Sequence, residues 1–257
     1  MKAWALQMDI DWEDKPASYA RVERLLGQAA LEPGDLVVLP EMFATGFSMN
    51  LAATAEPEGG PTEQFLRKLA RERGVNVVGG LVTFTGAGRG LNQSLAIDPT
   101  GAVAGRYTKI FPFSGGGELG SHDAGSEVEV VDFAGFKTAL FICYDLRFPE
   151  IFREAVRKGA ELMVVIAAWP SRRVAHWTCL LQARAIENMA VVVGVNRSGV
   201  DPNLPYPGRS LIVDQMGAVM ADAGDRESVA GATLDRAALL EWREAFPALR
   251  DMRPACG

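Results

Sequence analysis

The chain has 257 residues, 48% of them hydrophobic and 23% charged, with a formal net charge of −6. The composition is globular, which excludes a collagen, a coiled coil or a disordered chain, and the length suits one sizeable core. Three cysteines (Cys143, Cys179, Cys256) are too few for a disulfide scaffold, and two histidines (His122, His176) with no CxxC or HExxH leave a metal site little to draw on.

Strands and helices alternate from the N-terminus. Residues 2–9 read as a strand, and 16–30 as a helix with Val22, Leu25, Leu26 and Ala29 on one face. Residues 35–39 (DLVVL) are a short apolar run of the kind buried on both sheet faces. An amphipathic helix over 62–73 is closed by Gly74, and strands follow at 75–84 and 91–97. The turn Asp98 to Gly101 leads into a strand at 102–106, then a Gly-rich, aromatic loop runs over 107–126. Strands at 127–133 and 136–142 precede a helix at 149–158, a buried strand at 161–167, a helix at 174–188 and a strand at 189–195. Strands at 209–213 and 218–221 bracket a turn, and a helix at 235–245 leads to a polar tail, 246–257. Mixing βα alternation with hairpins implies a layered α/β fold with mixed sheets, in a single domain spanning 1–257.

No apolar run reaches the about 18 residues of a membrane span. Asp9 interrupts the N-terminus too early for a signal peptide, so the expected location is cytoplasmic. Mild acidity without a Lys/Arg block argues against nucleic acid or an anionic membrane as partner. The NxS triplets at Asn92 and Asn196 read as chance matches.

Three apolar strands end abruptly in a polar residue: Glu41, Lys109 and Cys143. Sites in open α/β sheets collect beyond strand ends. Taken alone, Cys143 reads as a core thiol, Glu41 as a solvated carboxylate and Lys109 as a surface lysine. Together they supply a nucleophile, a base and a cation. A thiol is only a few per cent ionised at neutral pH and needs such help. Glu41 can take its proton, and Lys109 can favour the thiolate and a developing oxyanion. The segment GGGELG fits GxGxxG in form but not in βαβ context; it reads better as an active-site loop carrying Glu118. No GxSxG occurs.

At these residues the sequence resembles the nitrilase superfamily of carbon–nitrogen hydrolases over nearly its whole length. The motifs are LPEMFATGFSM around Glu41, GRYTKIFPF around Lys109 and CYDLRFPEIFR around Cys143, with further matches from Ala167 to Gly199 and from Pro207 to Met220. The resemblance implies an αββα sandwich, usually paired as a homodimer or higher homo-oligomer, with Glu41, Lys109 and Cys143 as the catalytic set and Glu118 as a second glutamate. EMFATGFSM and the spacing from Trp169 to Trp177 resemble the ω-amidase branch. That implies hydrolysis of the terminal amide of 2-oxo dicarboxylic acid monoamides such as 2-oxoglutaramate, with water as the other reactant. Rivals are another amidohydrolase, acting on N-carbamoyl amino acids or aliphatic amides, and a silent binding protein of the same fold. Lys109 and the Tyr144 N–H are the expected oxyanion donors. Arg173 is the candidate for the substrate carboxylate, with Arg172 and Arg147 competing; Arg147 could instead pair with Asp145 or Glu150. Trp169, Phe113, Met42 and Phe47 are candidate pocket walls. No metal or organic cofactor is expected, because the side chains supply base, nucleophile and cation.

Overall fold

The fold is that of a computed structural model, which describes residues 1–253. Cys256 and the end of the expected tail lie outside the described residues. In chain order the elements are β1 (Lys2–Gln7), α1 (Lys15–Leu26), β2 (Leu36–Val38), α2 (Leu51–Thr54), β3 (Ala55–Glu56), α3 (Pro61–Arg73), β4 (Asn76–Phe84), β5 (Gly90–Ile97), β6 (Val103–Thr108) and α4 (Glu118–Ser121). The second half has β7 (Val130–Phe133), β8 (Phe136–Ile142), α5 (Pro149–Arg157), β9 (Leu162–Ala167), α6 (Val174–Asn188), β10 (Val191–Asn196), β11 (Ser198–Val200), β12 (Pro205–Pro207), β13 (Leu211–Val213), β14 (Val219–Asp222), β15 (Ser228–Thr233) and α7 (Arg236–Ala245).

Local chemistry sets the helix ends. The Asp14 side chain accepts from the Ala17 N–H at the start of α1, Asp235 does the same for Ala238 at α7, and α3 stops at Gly74 with φ +65°. Two mixed sheets form. One has the order β15-β1-β2-β4-β5-β6, with β3 beside β4; the other has β14-β13-β10-β9-β8-β7. In the first, β1, β2 and β4 run parallel; in the second, β8, β9 and β10 do.

Side chains along the first sheet alternate between two cores, as a period of two requires. Ala3, Ala5, Leu36, Val38, Val78 and Ala96 pack with the second sheet's residues. Their neighbours Trp4, Leu6, Val37, Val77, Leu95 and Ile97 pack under α1 and α3. The small residues on the inner face let the sheets approach. Phe152 and Ala155 of α5 and Trp177, Leu181 and Ala185 of α6 cover the second sheet and belong to the same continuous cluster as the residues between the sheets. The layers are therefore α, β, β, α, the sandwich that the resemblance implies. Among the described residues no helix is long and apolar enough to cross a membrane.

Several features differ from the expected elements, among them the short α2 and β3 between β2 and α3. β15 pairs antiparallel with β1 along its length, although SVAGAT lacks an apolar run; a partner from the far end of the chain decides it. β11 and β12 form a small hairpin where no strand is expected. The loop 107–126 contains α4 and a 3₁₀ turn at Ser114–Gly116.

Candidate active site

Glu41 follows Pro40 just past β2, at the centre of the first sheet. Gly80 on β4 passes so close that a Cβ there would lie 2.6 Å from the Met42 nitrogen and 2.8 Å from the Glu41 Cα. Only glycine permits that approach. The turn continues through Met42, which takes a positive φ of 46°. It leaves the Glu41 side chain wholly buried, with a donor on each oxygen: Oε1 accepts from Lys109 Nζ at 2.9 Å and Asn92 Nδ2 at 2.7 Å, and Oε2 from the Ala168 N–H at 2.8 Å.

Lys109 and Asn92 are neighbours because the β5–β6 ladder extends to them; the Lys109 N–H donates to the Asn92 carbonyl at 2.9 Å. Glu118, the first residue of α4, enters after Gly117. Its Oε2 accepts from Lys109 Nζ at 2.9 Å and from the Phe113 N–H at 2.6 Å, and its Oε1 from Asn92 Nδ2 at 2.8 Å. The Lys109 ammonium thus sits between two buried carboxylates, and the Asn92 amide bridges the same two. Burial alone would lower the Lys109 pKa, but Glu118 and Glu41 reverse this and hold it well above its ordinary value. Burial resists ionisation of Glu118, but the Lys109 charge and the Asn92 bond keep it below the usual carboxylate range.

Cys143 closes β8 and opens a 3₁₀ turn, Cys143–Arg147. Its φ of 47° is unusual for a residue with a side chain, the kind of strain that collects at functional sites. Asp145 holds the turn: its Oδ2 accepts from the Ile142 N–H and the Tyr107 hydroxyl, and its Oδ1 from the Phe111 N–H. Burial pushes Asp145 up to about 7, against the opposing pull of Lys109 and those donors. Burial also raises the Cys143 thiol well above its ordinary value, and the Glu41 charge adds to this while Lys109 opposes it. Tyr144 is the second residue of the turn, where a main-chain N–H has no partner within the helix.

Cys143 lies at a cavity of about 520 Å³. Phe47, Phe113, Tyr144 and Trp169 line it, as do Arg147, Arg172 and Arg173. Glu41, Lys109 and Glu118 do not line it; they are buried behind the thiol. Met42 is not a wall either, because the turn after Glu41 buries it. Arg147 does not pair with Asp145 or Glu150. Its guanidinium lies 4.7 Å from the Trp169 ring centroid and bonds His176 Nδ1 at 3.2 Å, while main-chain and phenol donors occupy Asp145. Among the described residues none of the three cavity arginines has a carboxylate within ion-pair distance. Burial lowers the Arg173 pKa, and the charges of Arg172 and Arg147 lower it further. No group of three or more His, Cys, Asp or Glu among the described residues could hold a metal ion.

Several residues of the site were not singled out for it in the sequence. Asn92 and Asn196, the two NxS asparagines, are both buried. Asn196 fastens Trp169, accepting from its N–H at 2.7 Å and donating to its carbonyl at 3.0 Å. Asp201 and Tyr206 of the β11–β12 hairpin also line the cavity. The available signal was an Asn or Asp within or beside an apolar strand, a position that burial makes costly unless its bonds are met.

The carbon–nitrogen hydrolase family model matches residues 2–244. The 2-oxoglutaramate amidase of Bacillus subtilis (strain 168) is 34% identical over 96% of this chain and 96% of its own. The omega-amidase YafV of Yersinia enterocolitica is 38% identical, over 98% and 96%. Among solved structures, a CN-hydrolase superfamily protein of Xanthomonas campestris with an arsenic adduct in its active site superposes with a TM-score of 0.92 at 34% identity, covering 100% of this chain and 98% of its own. With the sandwich, the strand-end Glu, Lys and Cys, and matches over nearly its full length, this chain belongs to the carbon–nitrogen hydrolase family.

Proposed function

We propose that the protein hydrolyses the terminal amide of 2-oxo dicarboxylic acid monoamides, with 2-oxoglutaramate as the substrate of choice, through a Cys143 thioester. The observation that carries this reading is a single cavity with a thiol at one place and three arginines free of carboxylate partners lining it. An amide can sit at the thiol while a distant carboxylate meets a guanidinium. The names of the relatives from Bacillus and Yersinia support the same substrate class.

In this reading Cys143 Sγ attacks the amide carbon as its proton passes to Glu41. The carbonyl oxygen takes the displaced electron pair and is held by the Lys109 ammonium and the Tyr144 N–H. As the tetrahedral intermediate collapses, the carbon–nitrogen bond breaks and Glu41 returns the proton to the departing nitrogen, giving ammonia. Water then attacks the thioester, losing a proton to Glu41; the carbon–sulfur bond breaks, the acid leaves and Glu41 reprotonates the sulfur. The raised thiol suits this sequence, since Cys143 rests as a thiol and ionises only as it reacts. Glu118 holds Lys109 in place. Phe47, Phe113 and Trp169 wall the substrate, and Arg173 binds its carboxylate.

Ammonia release from a panel of amides tests the proposal. The expected result is a kcat/KM for 2-oxoglutaramate at least tenfold above that for N-carbamoyl amino acids and simple aliphatic amides. A higher value for a carbamoyl substrate would replace this reading with the rival amidohydrolase.

A further inference from the structure

Asn92 is the one member of the buried cluster with no part in the steps above. It lies on β5, 1% exposed. Its amide nitrogen sits 2.7 Å from Glu41 Oε1 and 2.8 Å from Glu118 Oε1. An amide carries two N–H bonds, so each carboxylate can receive its own. Its Oδ1 has no hydrogen-bond partner among the described residues, so what the side chain provides here is donation. The Lys109 charge is already shared between the same two carboxylates. One cation therefore faces two anions, and the remaining negative charge is met by uncharged donors: Asn92, the Ala168 N–H and the Phe113 N–H. Of these, only Asn92 touches both glutamates.

We propose that Asn92 is a positioning residue that fixes and aims the Glu41 carboxylate as the proton acceptor for Cys143, by supplying two donors without adding charge. The inference rests on the reading of Glu41 as the base. A lysine or arginine at this position would neutralise the cluster and compete with the thiol for Glu41. An aspartate would add a third anion. An amide avoids both. The titratable and charged groups around Glu41 are Lys109 beyond β6, Glu118 and then His122 from the α4 segment, and Cys143 beyond β8. Burial lowers the His122 pKa, against the pull of Glu118, and its Nδ1 lies 2.9 Å from Ser121 Oγ.

The test compares Asn92→Leu, Asn92→Asp and Glu41→Gln in the full-length protein, using pH profiles of kcat/KM for 2-oxoglutaramate and melting curves. Asn92→Leu removes both donors. Its kcat should fall about 10- to 100-fold with KM changed less than threefold, and the acid limb of its profile should move up by about one pH unit or more. Asn92→Asp is nearly isosteric, so it reports even if the leucine variant fails to fold. It can donate only when protonated, so its deficit should grow steadily from pH 6 to pH 9. A purely structural role would give losses that do not change with pH, and that result overturns the proposal, as do wild-type profiles in both variants. Glu41→Gln separates the two levels. If it retains wild-type turnover, the assignment of the base fails; if it is inactive while both Asn92 variants behave as wild type, only the role of Asn92 fails.

Discussion

Lys109 faces two carboxylates at 2.9 Å, all three side chains buried, and replacing it with methionine, similar in length but uncharged, exposes what it does. At that distance and an effective dielectric constant near 20, each contact is worth roughly 6 kcal/mol of attraction before desolvation is counted. Burying the ammonium offsets much of this, and breaking buried pairs in other proteins costs about 3–5 kcal/mol net. The variant leaves Glu41 and Glu118 sharing the Asn92 amide with no cation between them. One of them should then bind a proton in the folded state. The unfolded chain releases that proton above about pH 4.3, so over pH 5–8 the folded variant holds more protons than the unfolded one. Its stability must therefore fall as pH rises. The Lys109 pKa is raised in the wild type, so its contribution is complete below the unfolded lysine value near 10.4 and flat across this range. Urea denaturation followed by tryptophan fluorescence at several pH values measures both. The expected loss in Lys109→Met is about 3–5 kcal/mol at pH 8, shrinking toward pH 5. Wild-type stability with no added pH slope would refute the picture of a charge-balanced cluster.

Other outcomes follow from the same geometry. Glu118→Gln should lower stability by about 1–3 kcal/mol at pH 7, since it removes one partner of a buried charge. Because the Glu118 pKa is depressed, its stabilisation is present above the unfolded value and is lost as pH falls through the folded one; the gap between variant and wild type should close below about pH 4 in acid-denaturation curves. Arg173→Ala should raise KM for 2-oxoglutaramate about 10- to 100-fold while changing kcat little, as expected for a group that binds substrate and transition state alike. An unchanged KM in steady-state assays would shift the carboxylate to Arg147 or Arg172.

The layers and strand ends were legible in the sequence because apolar runs such as DLVVL and LMVVIA ended at Glu41 and near Ala168, and periodicity there is strong. β15 was not, because its strand state comes from pairing with β1 across more than two hundred residues of chain, not from its own composition. Glu41, Lys109, Glu118 and Cys143 could be singled out, and the structure brings them together, because each stands out as a polar residue at a strand end or in a glycine-rich loop. Asn92 hid as half of a familiar triplet, and its neighbours became visible only when β5 was set between β4 and β6. Arg147 looked like a partner for Asp145 two residues away. Local spacing could not show that three donors from β6, the following loop and β8 would fill that carboxylate first. Met42 shares its stretch with Phe47, yet the positive φ at the turn buries one while the other lines the cavity.

In the proposed mechanism the Cys143 sulfur forms the bond to the substrate. Ammonia release from 2-oxoglutaramate by Cys143→Ala, in a protein whose melting curve matches the wild type, tests it most directly. A loss of at least about 10⁴-fold in kcat/KM is the expected result, in line with removal of the nucleophile from other hydrolases. Turnover within tenfold of the wild type would contradict it.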